Sequence, residues 1–243
     1  MTYCLGVRLE AGLVLAADSR SNAGVDQVTH VSKQTLITVP GERVVAILSA
    51  GNLATSQAVT TRLLQAAGSG EARADVKAAT SLFDVAELVG ERLRDVVAHD
   101  AKHVEPYGDP TASFLVGGQI RGEPPRLFLV YPAGNFIEAT ARAPFLQVGE
   151  TKYGKPILDR TLSHDSSLAE AAKIALLSFD ATIRSNLSVG APIDMLIYAK
   201  GSFTAEAQRT FAEADPYWLD LRRAYGEGLA ALVADLPTPP GLR

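Results

Sequence analysis

Thr2 is the first residue of this sequence whose position suggests chemistry. An initiator methionine is normally trimmed when the next side chain is small, and threonine qualifies. Loss of Met1 would leave a residue bearing both a hydroxyl and a free α-amine, one of the few self-contained pairs of nucleophile and base. Such an amine titrates near ~7.7–8.0 when unperturbed, so a neutral fraction exists at physiological pH. A Met-Thr start is also an ordinary way for a chain to begin, so the neighbours decide. Asp18 ends an otherwise apolar run, residues 13–17. A carboxylate at the end of a core strand needs a cation or donors beside it. If the first two strands form a hairpin with paired residue numbers summing to about 20, Thr2 lies opposite Asp18 at roughly 5 Å between Cβ atoms. A bulge at Gly12 would shift that by one. Lys33 follows Asp18 just before the next strand and is placed to reach back. Its charge beside an N-terminal amine would favour the neutral, basic form of that amine. The same pair also reads as a surface ion pair at strand ends.

Other reactive residues carry weaker patterns. His99 and His103 have an i, i+4 spacing, but no H-E-x-x-H surrounds them and they fall on the charged end of a helix. A solvated face is the simpler reading, and no metal is expected. His30 and His164 belong to no motif, and nothing in the spacing supports a Ser-His-Asp triad. Cys4 is the only cysteine, which excludes an intrachain disulfide; in an apolar strand it reads as a packing residue. Neither G-x-x-x-x-G-K-[ST] nor G-x-S-x-G occurs.

The elements that must hold these residues read as follows. Segments 2–7 and 13–18 flank Glu10-Ala11-Gly12, and 36–39 and 44–50 flank Pro40-Gly41-Glu42, two hairpin signals. A helix over 53–67 ends at Gly68. A second helix starts after Ser81, with Asp84 completing an acidic capping box and Leu82, Val85, Ala86, Val89, Leu93, Val96 and Val97 at helical spacing. The small, polar stretch 68–79 reads as a mobile loop. Further strands cover 113–117, 127–131, 136–140 and 145–148. A full S-x-x-E box, Ser167 to Glu170, opens another helix, 195–199 is a last core strand, and 201–243 reads as a helical appendix. Strands, two helices, strands, helices and a strand fit an α+β architecture with two central β-layers between two α-layers, and not the alternation of a doubly wound sheet.

The 243 residues are 47% apolar and 21% charged, which excludes a disordered or collagen-like chain. Acidic residues outnumber basic ones, 27 to 23, without the basic surplus of a nucleic-acid binder. The longest apolar runs are strand-length, and the first residues lack a signal-peptide core. A cytoplasmic protein with neither nucleic-acid nor membrane partners is the expectation.

In the order Thr2, Leu13-Val14-Leu15-Ala16-Ala17-Asp18-Ser19-Arg20, Lys33 and Ser49-Ala50-Gly51, the chain resembles the proteasome β-subunit type of N-terminal-nucleophile hydrolases. Segments 148–160 and 178–190 resemble the bacterial ancestral β-subunit branch, Anbu. The resemblance covers roughly residues 2–200. It implies a four-layer αββα sandwich over 2–200, extended by 201–243, and a threonine-type peptidase that needs no metal or organic cofactor. It also implies a self-assembled ring or open ring acting on peptides or unfolded proteins, with an unfoldase partner unidentified. Thr2 matches the nucleophile, Asp18 and Lys33 its catalytic partners, and the Gly51 N–H the oxyanion donor. Gly149 and Ser185 match supporting positions, Asp180 either substitutes for a supporting aspartate or caps a turn, and Ser21, Val31, Ser49 and Leu53 match a substrate pocket. Three features depart from the pattern. The step from aspartate to lysine is one residue shorter, Gly149-Glu150-Thr151 stands where many β-subunits have Gly-Ser-Gly, and Thr182 replaces the aspartate three residues before Ser185. The same residues also allow a non-catalytic scaffold, or an amidase or acyltransferase for small molecules.

Overall fold

The computed structural model describes residues 2–22, 28–71 and 74–241. Its elements in chain order are β1 (Tyr3–Leu9), β2 (Gly12–Asp18), β3 (Arg20–Asn22), β4 (Val28–His30), β5 (Gln34–Val39) and β6 (Arg43–Gly51), then helices α1 (Leu53–Ala66) and α2 (Leu82–Val104). There follow β7 (Ala112–Ile120), β8 (Arg126–Val130), β9 (Phe136–Glu138), β10 (Phe145–Gly149), α3 (Lys155–Thr161), α4 (Leu168–Ser185), β11 (Ile193–Ala199), β12 (Gln208–Phe211) and α5 (Pro216–Asp235). One sheet has the order β10-β1-β2-β11-β12, a second the order β5-β6-β7-β8-β9, and β3 and β4 form a small ribbon. Every pairing is antiparallel.

Three apolar layers hold the stack together. Cys4, Leu13, Leu15 and Ala17 of the first sheet meet Val44, Ala46, Leu48 and Leu115 of the second. Helices α1 and α2 cover the outer face of the second sheet through Val59, Leu63, Val85 and Val89. Helix α4 covers the first through Ala175, Leu176 and Phe179, joined by Leu158 of α3 and Trp218 of α5. The expected four-layer αββα sandwich is therefore the fold. Burial on both faces explains why β2 reads as an unbroken apolar run: all seven of its residues are buried. Both capping boxes form, Ser81 with Asp84 and Ser167 with Glu170.

The structure corrects several expectations. Paired numbers in the first hairpin sum to 21, as in Cys4↔Ala17, so β2 is offset by one residue and Tyr3 takes the place opposite Asp18. The appendix 201–243 is only partly helical: β12 extends the first sheet by pairing with β11, and α5 then packs beside α4. The described part of the stretch 68–79 is pinned: the buried Asp75 carboxylate accepts the backbone N–H groups of Gly68, Gly70 and Lys77, at 2.7, 3.1 and 2.7 Å. Arg43 fastens its far end by donating to the carbonyls of Val76 and Ala79. The β3–β4 ribbon and α3 are elements that the hydrophobic pattern does not announce. No helix among the described residues is long and apolar enough to cross a membrane.

Candidate active site

Thr2 stands one residue ahead of β1, half-buried, and its carbonyl accepts the Glu150 N–H at 2.7 Å. Met1, whose removal the chemistry requires, lies outside the described residues. The next residue, Tyr3, fixes the entry to β1 from both sides. Its N–H donates to Asp18 Oδ1 at 3.0 Å. Its hydroxyl lies 2.6 Å from Ser178 Oγ on α4 and accepts from Gln147 on β10, also at 2.6 Å, while its ring packs on Phe179. Burial pushes the phenol up to about 12, so it stays neutral.

Asp18 closes β2 with no solvent exposure, and Lys33 reaches it from the connection between β4 and β5. Lys33 Nζ donates to Asp18 Oδ1 at 2.7 Å and to the Arg20 carbonyl at 2.6 Å. The Gly190 N–H donates to Asp18 Oδ2 at 3.3 Å. Burial raises the Asp18 carboxyl above its ordinary value, against the pull of the Lys33 charge and the two backbone donors. The aspartate and lysine expected from the sequence thus form a buried ion pair, and one backbone bond ties it to the residue after Thr2. Cys4 is also buried, with Sγ donating to the Ser49 carbonyl, and burial pushes its thiol far up, so it is a packing group.

Two glycines stand at strand ends here. Gly149 lies opposite Tyr3 with φ +85°, and a Cβ there would come 1.8 Å from the Thr2 carbonyl oxygen. Gly51 ends β6 with φ +108°, and a Cβ would come 2.7 Å from the Thr111 carbonyl oxygen. Both positions need glycine, because only glycine combines a positive φ with so close an approach of backbone. Gly51 and Gly149 share a cleft of about 460 Å³ whose walls include Ala50, Asn52, Asp109 and Pro132.

The remaining expected residues are placed unevenly. Val31 N–H donates to the Ser19 carbonyl and Ser49 N–H to the Lys33 carbonyl, so both lie along the backbone that carries the ion pair. Ser21 sits on β3 and Leu53 opens α1, each half-buried, and none of these four lines the cleft between the glycines. Asp180 is buried but is taken by Arg184 Nε and by Arg222 Nε of α5, the latter at 2.6 Å. Ser185, the last residue of α4, is exposed. One position further, Asn186 turns inward and donates its amide to Glu150 Oε2 at 2.8 Å. Asn186 and Gly190 fall within the 178–190 segment that carries the resemblance, but the sequence assigns neither a role of its own. Asn186 follows directly after the expected supporting serine, and a polar side chain at a helix C-cap was the available signal.

The fold is a sandwich of two antiparallel five-stranded sheets, with the buried Lys33–Asp18 pair bonded to the backbone of the residue after Thr2. The family model for the proteasome subunit matches residues 2–198, and the chain belongs to that family. Among curated relatives, proteasome subunit beta 2 of Pyrobaculum neutrophilum is 30% identical over 202 residues, covering 83% of this chain and 91% of the relative. Among solved structures, the chain is similar to Anbu, the ancestral beta-subunit, from Yersinia bercovieri: 44% identity, TM-score 0.92, covering 99% of this chain and 100% of that one. It is also similar to the Anbu chain solved as a helical assembly from Pseudomonas aeruginosa: 46% identity, TM-score 0.93, with 98% of each chain covered.

Proposed function

We propose that this chain is a threonine-type peptidase of the Anbu branch, with Thr2 as nucleophile once Met1 is removed. In this reading Thr2 Oγ attacks a peptide carbonyl while the α-amine takes the hydroxyl proton. Lys33 favours the neutral amine, and Asp18 holds Lys33 in place and offsets part of its charge. The Gly51 N–H receives the oxyanion, an interaction whose loss elsewhere costs about 3–4 kcal/mol. The amine then protonates the leaving nitrogen, and water hydrolyses the resulting ester. The observation that carries the reading is the buried Lys33–Asp18 pair tied to the backbone one residue after Thr2.

The same reading includes self-assembly into a ring or open helical complex. Leu219, Leu229, Leu232 and Val233 of α5 and Leu236 at its end are exposed, and association would remove their apolar surface from water. The helical assembly of the Pseudomonas aeruginosa relative supports it. Light scattering at micromolar concentration should then show a particle far larger than one chain.

The chemical test is the intact mass of protein beginning at Thr2 after incubation with a peptide epoxyketone. One adduct per chain is expected, with none on Thr2→Ala, whose thermal midpoint should match the wild type. No adduct on a confirmed free Thr2 would reject the peptidase reading in favour of a scaffold.

A further inference from the structure

The layer between the two sheets is apolar over most of its area, but it changes character at one side. There β5 is the edge of the second sheet and β12 the edge of the first, and a cavity of about 280 Å³ lies between them. The register tells which side chains face it. Gln34 lies opposite Leu48 and Leu36 opposite Ala46, and both partners belong to the layer between the sheets. Directly paired residues share a face, so Gln34 and Leu36 point towards the first sheet. Asp194 lies opposite Thr210 and Leu196 opposite Gln208, and Leu196 belongs to the same layer. Residues two apart on a strand also share a face, so Asp194, Thr210 and Gln208 point towards the second sheet. Ser32 completes the wall. Polar side chains from both sheets therefore meet at the edge of an otherwise apolar layer.

The hydrogen bonds leave this cavity mostly with acceptors. The Thr210 hydroxyl donates to Asp194 Oδ1 at 2.8 Å. The Ser32 hydroxyl lies 3.4 Å from Asp194 Oδ2 and 3.3 Å from the Gln34 carbonyl, so its one hydrogen is committed to that pair. Gln208 Nε2 donates to the Ala205 carbonyl at 2.8 Å, which leaves its oxygen. Gln34 Oε1 is buried without a hydrogen-bond partner, and the soft terminal torsion of the amide lets that oxygen turn to a donor in the cavity. No cation answers the Asp194 carboxylate among the described residues. Lys33 is held by Asp18 and the Arg20 carbonyl. Arg209 borders the cavity but lies opposite Met195, in the apolar cluster under α4. Its guanidinium accordingly sits on the other face, paired with Asp215 and stacked over Phe211 and Tyr217. A positive group that carries only donors matches what remains, and an ammonium has three N–H donors and no acceptor. We infer that this cavity binds a primary alkylammonium ion, whose N–H groups donate to Asp194 and to the side-chain oxygens of Gln34 or Gln208 while its chain lies on Leu36. The inference is independent of the peptidase reading. The ligand would also fasten the two segments that carry the buried ion pair: Ser32 and Gln34 are the chain neighbours of Lys33, and Asp194 follows Ile193, which lies opposite Asp18.

The test titrates n-butylammonium chloride into the full-length protein at pH 7 and constant ionic strength, with the thermal midpoint as readout. A saturable rise is expected, about 3–6 °C at ten times the dissociation constant. Sodium chloride, and n-butanol with the same chain but no charge, should give no such rise. Asp194→Asn keeps the shape and an acceptor for Thr210 but removes the charge, and should weaken binding at least tenfold. Gln34→Met removes the amide from the facing sheet at similar volume and should weaken it several-fold. If Asp194→Asn fails to fold, Gln34→Met carries the comparison. No saturable rise in the wild type overturns the inference, as does a rise that sodium chloride or n-butanol reproduces. An affinity unchanged in folded Asp194→Asn, or in Gln34→Met where it stands alone, overturns it as well.

Discussion

Removal of Lys33 tests the geometry of the site and its proposed chemistry in one experiment. Lys33→Ala leaves Asp18 fully buried with two donors, the Tyr3 and Gly190 N–H groups, in place of three. Breaking a buried ion pair from one side costs about 3–5 kcal/mol, and the two remaining backbone bonds favour the lower end, about 3 kcal/mol. For a chain of this size each kcal/mol moves the thermal midpoint by about 2–4 °C, so a fall of roughly 6–12 °C is expected near neutral pH. The deficit should depend on pH in a definite direction. Burial already raises the Asp18 carboxyl, and loss of the Lys33 charge raises it further. A carboxyl whose folded value lies above its unfolded value penalises the fold only when ionised. The penalty is therefore complete above the raised folded value, shrinks as pH falls through it, and is gone below the unfolded value near ~3.9. Lys33→Arg keeps the charge with a different shape and reach, and should recover stability better than labelling rate. Scanning calorimetry of the three proteins from pH 4 to 8, alongside epoxyketone labelling, measures both effects. A Lys33→Ala midpoint within 2 °C of the wild type at pH 7 would refute the account of Asp18 as a buried, dependent charge. Unchanged labelling would refute the role given to Lys33.

Two further substitutions probe the frame around the site. Gly149→Ala would force a side chain into a left-handed backbone position and against the Thr2 carbonyl, so a loss of at least about 1–3 kcal/mol is expected with labelling abolished; wild-type stability and labelling would show that the approach is not tight. Asp75→Ala strands three backbone donors and should cost about 2–3 kcal/mol at pH 7. Burial pushes the Asp75 carboxyl up, but its backbone hydrogen bonds prevail and hold it below its ordinary value. Its contribution is therefore complete above ~3.9 and lost only as pH falls below that, through the depressed folded value. Midpoints measured from pH 3 to 7 should show the Asp75→Ala deficit persisting at pH 5, where that of Lys33→Ala is already shrinking.

The layers of the fold were legible because they depend on local patterns. The unbroken apolar run of β2, the capping boxes at Ser81 and Ser167 and the helical stripe of α2 each report their own element without reference to any partner. The failures came where distant contacts decide. Residues 201–212 carry no strong strand pattern, yet β11 offers an open edge and β12 fills it. The stretch 68–79 looks like a loop by composition, but one aspartate and one arginine from β6 supply the hydrogen bonds that pin it. The hairpin register slipped by one because a short connection containing Gly12 does not announce its own turn count, and a slip of one moves every partner across the sheet.

The site divides along the same line. Thr2, Asp18 and Lys33 could be proposed from the sequence because their chemistry is unusual for their positions: a small residue after Met1, a charge at the end of a buried strand, and a cation just before the next one. The residues around them could not be weighed in this way. Asp180 and Ser185 look like support because the resemblance places supporting residues near the end of this helix, but position along a helix does not say which way its end faces. Asp180 turns to α5 and meets Arg222, a partner 42 residues away. Asn186, at the point where α4 stops, is free of the helical repeat, and so it can bend back to Glu150.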